Sequence, residues 1–148
     1  MPPPPPLVPP ALPPAVIVHG LPDIRAALAA NQPVTLLSAP GAVLYAGCGW
    51  WASLLAAAQV NVPALLDCAD APGRAWEALK LGLPGVILHP CPAAAQVAEY
   101  AALRGAILLP AAPPALDLGL PGAAWRLDNW LAGDFNGGGM KRNPIPPR

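Results

Sequence analysis

The sequence predicts an α/β fold: a single small domain of about five parallel strands with covering helices, laid out as a flavodoxin-like open sheet or a half-barrel, with Pro-rich tails at both ends. Three observations point there. Between residues 15 and 114, short apolar runs alternate with Ala- and Leu-rich segments, the rhythm of a strand followed by the helix that covers it. None of the runs alternates polar with apolar residues, so each reads as buried on both faces, as strands of a parallel sheet are. Of 148 residues 55% are hydrophobic, which is enough for one core in a chain too short for two domains.

Residues 1–14 are almost entirely Pro with Leu, Val and Ala, a composition that favours an extended polyproline II arm. The α/β domain is expected over 15–114, with strands at 15–18, 34–37, 64–66, 85–88 and 106–109. A helix over 21–30 opens with Pro22 and Asp23 in its first turn and stops at Asn31, which tolerates the left-handed conformation. Gly82 and Gly105 end two later helices in the same way. The helix over 73–81 turns Ala75, Trp76 and Leu79 inward and Arg74, Glu77 and Lys80 to water. The helix over 92–104 starts at a Pro and sets Val97, Ala101 and Leu103 near one side. After Pro114 the strand–helix rhythm stops. Residues 115–135 read as a short helical extension through Trp125, Leu127, Trp130 and Leu131. Residues 136–148 read as a flexible basic, Pro-containing tail with a Gly137-Gly138-Gly139 hinge.

The second helix, 41–60, departs from this pattern, because no Asp, Glu, Lys or Arg occurs from Ala26 to Leu66. Its length would suffice to span a bilayer. Its Ala and Gly content, its polar Ser53 and Gln59 and the lack of flanking Lys and Arg argue against a span. They favour a helix covered by a homo-oligomer or a protein partner, with an unusually apolar helix packed only within its own domain as the alternative. Gly47 and Gly49 would permit close approach there, and Tyr45, Trp50 and Trp51 would be the large contact anchors. Trp50 and Trp51 point about a hundred degrees apart on a helix, so one can face the sheet and the other a partner.

Charge sets further bounds. Eight basic and eight acidic residues give a net charge of zero, so no field is available to hold a phosphate backbone and nucleic acid is not an expected partner. A mean hydropathy of +0.45 with 11% charged residues leaves little polar surface to cover the core, which again points to association. Three cysteines without CxxC pairing, and no basic, apolar leader at the start of the sequence, fit a reducing cytoplasm.

Ligands of parallel sheets bind outside the carboxyl ends of the strands, and the expected exits are chemically rich. They are His19-Gly20, Ser38-Ala39-Pro40-Gly41, Asp67-Cys68-Ala69-Asp70 and His89-Pro90-Cys91. One reading is nucleophilic, with Cys68 or Cys91 as thiolate, His89 or His19 as base, and Asp67 or Asp70 orienting the imidazole. A metal site is a second reading, since these are suitable zinc ligands, but paired-ligand spacing is missing and no metal or cofactor is expected. The structural alternative is that polar residues gather where strands turn, Asp70 caps a helix, and the cysteines are small buried hydrophobes. Ser38 to Gly41 leads into a helix N-terminus, but neither GxGxxG nor GxxxxGK[ST] is present, so only generic anion affinity follows.

The stretch LLDCADAPGRAWEALKLGLPGVILHP resembles one βα repeat of aldolase-type (βα) barrels: strand, acidic exit, helix, glycine, next strand. The resemblance covers one repeat where a full barrel needs eight, and it implies the layer architecture and no activity. The overall pattern is also similar to short bacterial α/β proteins of no known activity, from which no site residues carry over. The leading expectation is a non-catalytic interaction or assembly protein that associates through helix 41–60 and the Pro-rich arms. The alternative is a small enzyme or ligand-binding domain using His19, Asp67, Cys68, Asp70, His89 and Cys91.

Overall fold

Each of the five apolar runs forms a strand in the computed structural model, which describes residues 11–134. The first ten residues of the Pro-rich arm and the tail with its Gly hinge lie outside the described residues. The elements run β1 (Ala15–Ile17), α1 (Leu21–Ala29), β2 (Thr35–Leu37), α2 (Ala42–Ala57), β3 (Ala64–Asp67), α3 (Pro72–Lys80), β4 (Gly85–Ile87), α4 (Ala94–Leu103) and β5 (Ile107–Leu109), and continue with β6 (Ala115–Asp117) and α5 (Ala123–Leu131). The helix stops expected at Asn31, Gly82 and Gly105 all take positive φ, at 54°, 84° and 68°.

The sheet has a sixth strand where the rhythm of the sequence stops. β6 pairs with β1 in parallel, Leu116 opposite Val16 and Asp117 opposite Ile17, so the segment expected as a helical extension begins inside the sheet. Three residues between a Pro-Pro pair and a Leu-Gly turn are too few to show a period, and only Leu116 of the three is fully buried. α5 then packs on β6 and buries Leu127, Trp130 and Leu131, with Trp130 Nε1 donating to the Ala15 carbonyl at 2.7 Å.

All pairings are parallel, and the strand order is β5-β4-β3-β2-β1-β6. The strands advance in one direction from β1 to β5, so the layout follows the consecutive order of a half-barrel rather than the reversed order of a flavodoxin-like sheet. Buried residues of all five helices join one cluster with Val16, Leu36, Leu66 and Val86, so every helix lies on the same face. The opposite face carries Ala15, Leu37, Leu65 and Ile87, all nearly inaccessible, with Leu12, Ile17, Ile107 and Leu109 around them.

Chain length explains how a face without helices stays dry. A flat six-stranded sheet holds its edge strands about 24 Å apart. The link from Leu109 to Ala115 is six Cα steps, whose reach is about 21 Å fully stretched. That link must also run back from the end of β5 to the start of β6. The sheet is therefore curled, its inner face turned in on itself, although β5 and β6 do not pair among the described residues. Gly85 records the crowding: a Cβ there would collide with the Leu65 side chain and stand 3.0 Å from the Ile107 carbonyl oxygen.

Some side chains differ from their expected sides. Trp76 lies outward, partly exposed and stacked on Tyr100 of α4 with ring centroids 4.1 Å apart, because Ala78 takes the inward place beside Ala75 and Leu79. Leu103 is exposed at the last turn of α4. α2 is kinked at Gly47, whose φ of 84° and ψ of 165° are accessible essentially to glycine alone. None of the helices among the described residues is long and apolar enough to cross a membrane.

Candidate functional site

The helix-free face ends, at the carboxyl edge, in residues continuing the inward register of each strand. His19 follows Ala15 and Ile17 by twos, Asp67 follows Leu65, and His89 follows Ile87. Cys68 has the opposite parity and joins the helix-side core, fully buried. Asp67 and Cys68 therefore point away from each other, one to each face.

The six side chains singled out from the sequence do not converge. Asp67 is buried and accepts the Ala69 N–H at 2.9 Å, while its own N–H donates to Ser38 Oγ at 2.8 Å. These bonds shape the exit turn, where Ala69 adopts a φ of 50° and passes its carbonyl to the His89 N–H at 2.7 Å. Asp70 and His89 are exposed, and Cys91 is half-buried against the core. Burial first, then the nearby Cys48 and Asp67, push the Cys68 thiol up to about 12, so it stays protonated at neutral pH. Burial likewise raises Cys48, whose Sγ donates to the Arg74 carbonyl at 3.5 Å. Among the described residues no group of three His, Cys, Asp or Glu side chains is placed to hold a metal ion.

One of the six does find a chemical partner, and that partner lies on the strand absent from the sequence reading. His19 Nε2 stands 2.6 Å from Asp117 Oδ1 across the β1–β6 boundary. The arrangement is held from several sides. Asp117 Oδ1 also accepts the Gly119 N–H at 2.8 Å, and the His19 backbone N–H donates to Asp23 Oδ2 in the first turn of α1 at 2.9 Å. The imidazole lies against the Gly119 backbone, where a Cβ would come within 2.7 Å of Nε2. Burial raises the Asp117 pKa, but hydrogen bonds from His19 and the Gly119 N–H, with the charge of His19, outweigh it and hold the carboxyl below its ordinary value. The pair is open to solvent, the side chains being 42% and 28% accessible, and Nδ1 of His19 has no protein partner among the described residues.

Asp117 and Gly119 were missed because β6 was missed. The signal was present: Ala115-Leu116-Asp117 repeats the Ala64-Leu65-Leu66-Asp67 pattern of an apolar run ending in Asp. Both carboxylates accept the N–H two residues on, so the two strands leave the sheet through the same Asx turn.

The apolar helix forms a second, separate surface. Trp51 is 0% exposed and belongs to the core, so it is no contact anchor; its ring faces the sheet side and Trp50 is half-buried beside it. Leu44 and Tyr45 take the outward positions, 56% and 72% exposed, followed along the helix by exposed Gly49, Ser53, Ala56 and Ala57. No protein-family model matches the chain, and neither the curated proteins nor the solved structures give a match.

Proposed function

We propose that the chain is an assembly protein that self-associates through the outward face of α2. The observation that carries this reading is that α2, alone of the five helices among the described residues, has no charged residue, and its exposed face presents Leu44 and Tyr45 to solvent. Outward faces of sheet-covering helices ordinarily carry charges, as α3 does with Arg74, Glu77 and Lys80. A face without charge selects no charged partner and meets its own copy without repulsion, which favours a two-fold pairing of identical patches. The small residues Gly49, Ser53 and Ala56 let the backbones approach, and the two large side chains supply contact area. Three free cysteines suit the reducing cytoplasm in which such an assembly would work.

Sedimentation and light scattering on the full chain test this. Tyr45→Glu leaves the core untouched and replaces the most exposed large side chain of the pairing face with a charge, so it is expected to weaken association by about thirtyfold, roughly 2 kcal/mol. A wild-type chain that is monomeric throughout the accessible concentration range sinks the proposal.

A further inference from the structure

We infer that a groove at the amino edge of the sheet is the docking site of the chain's own Pro-rich arm, residues 1–10, with Leu7 and Val8 seated in it. The inference is independent of self-association. The groove has a volume of about 510 Å³ and lies between the last turns of α2 and the segments that lead into β3 and β4. Leu55, Val60, Val62, Leu81 and Leu83 line it, no lining residue is charged, and Asn61 is the single hydrogen-bonding side chain among them. On its rim Leu81 is 56% exposed, a large apolar side chain left to water.

Direction, reach and chemistry select the arm as the occupant. β1 starts at the same edge, and the described end of the arm is drawn to the groove side of it: Thr35 of β2 donates its hydroxyl to the Pro13 carbonyl at 2.8 Å and its N–H to the Pro14 carbonyl at 2.9 Å. β3 and β4 lie two and three strand spacings from β1, about 10 and 14 Å. In polyproline II geometry Val8 and Leu7 stand about 16 and 19 Å before Pro13, enough to cross that distance and turn onto the helix side. Residues 1–10 carry no charged side chain, and within 2–10 only Leu7 and Val8 have a backbone N–H. Such a segment covers apolar surface while bringing few donors that need partners. The tail over 135–148 fits less well, because Lys141, Arg142 and Arg148 give it positive charge without an acid. Arg104 already stands at the rim, its Nη2 3.9 Å from the position of a Cβ on Gly82, and would repel it.

Paramagnetic labelling of the full chain is the test. Val8→Cys carries a nitroxide in a Cys91→Ser background, Cys48 and Cys68 being buried. The amide signals of Asn61, Val62, Leu81 and Gly82 are expected to lose most of their intensity and to regain it when ascorbate reduces the label. Those of Asp117 and Gly119, at the carboxyl edge, should not change. Leu7→Asp in the labelled chain sets a charge against the uncharged lining and is expected to restore the groove signals. Full intensity at the groove beside the oxidised label, or broadening that persists in Leu7→Asp, would overturn the inference. Broadening that is stronger on an unlabelled, isotope-enriched copy mixed with labelled chain would also overturn it, because the cover would then be a second molecule.

Discussion

The thiol of Cys68 sits at a strand exit, but its side chain faces the helices, and position outweighs residue type. A pKa of about 12 leaves a thiolate fraction of about one in ten thousand at pH 8, and burial denies reagents access as well. Folded protein is expected to show no reaction at Cys68 with a thiol-specific disulfide reagent, while half-buried Cys91 reacts and Cys68 follows only on unfolding. Peptide mapping after labelling separates the two sites. Asp117 gives a second expectation at this scale. Its folded pKa is depressed, so its contribution to stability is complete above the unfolded carboxylate value of about 3.9 and is lost as pH falls through the lower folded value. Asp117→Asn should therefore flatten the acid limb of the stability curve without altering it near neutrality beyond a constant offset, as read from denaturant midpoints across pH.

At the scale of the element, α2 and α5 each contribute a tryptophan to the core with opposite polar accounting. Trp51 is 0% exposed and its Nε1–H has no hydrogen-bond partner among the described residues. Trp130 is 9% exposed, and its Nε1–H donates to the Ala15 carbonyl at 2.7 Å. Burial alone would make Trp51→Phe the costlier change. Polar satisfaction reverses the order: the first replacement removes an orphan donor that costs about 1–3 kcal/mol, while the second gives up a buried hydrogen bond. Trp130→Phe is therefore expected to destabilise by at least about 1 kcal/mol more than Trp51→Phe in chemical denaturation. The elements were legible in the sequence where a strand and helix sat between turn residues, because the apolar runs and the stops at Asn31, Gly82 and Gly105 are local signals. The outward turn of Trp76 and the inward turn of Trp51 were not, since adjacent apolar residues on a helix do not say which of them the sheet will cover.

For the molecule as a whole, the curl of the sheet depends on the link 110–114. Deleting Ala111 and Ala112 would cut its reach to about 14 Å, which cannot close the distance around the sheet. Such a chain is expected to release β6 and α5, seen as rapid amide exchange over 115–131 with β2 to β4 still protected, whereas inserting two residues in the link should be tolerated. The class of fold was legible because parallel strands are apolar on both faces. The candidate site was half legible: His19 came from its place after an apolar run, but its partner lies 98 positions away on a three-residue strand, and only long-range pairing brings the two together.

The same pairing has a consequence for synthesis. β1 meets β2 across 20 positions, Ala15 with Thr35, but it meets β6 across 100, Ala15 with Ala115. As the chain leaves the ribosome, β1 to β5 can assemble neighbour by neighbour, each step closing a short loop. Throughout that time the far side of β1 is a bare strand edge, open to pairing with another nascent chain. Its cover, and with it the carboxylate that orients His19, arrives last.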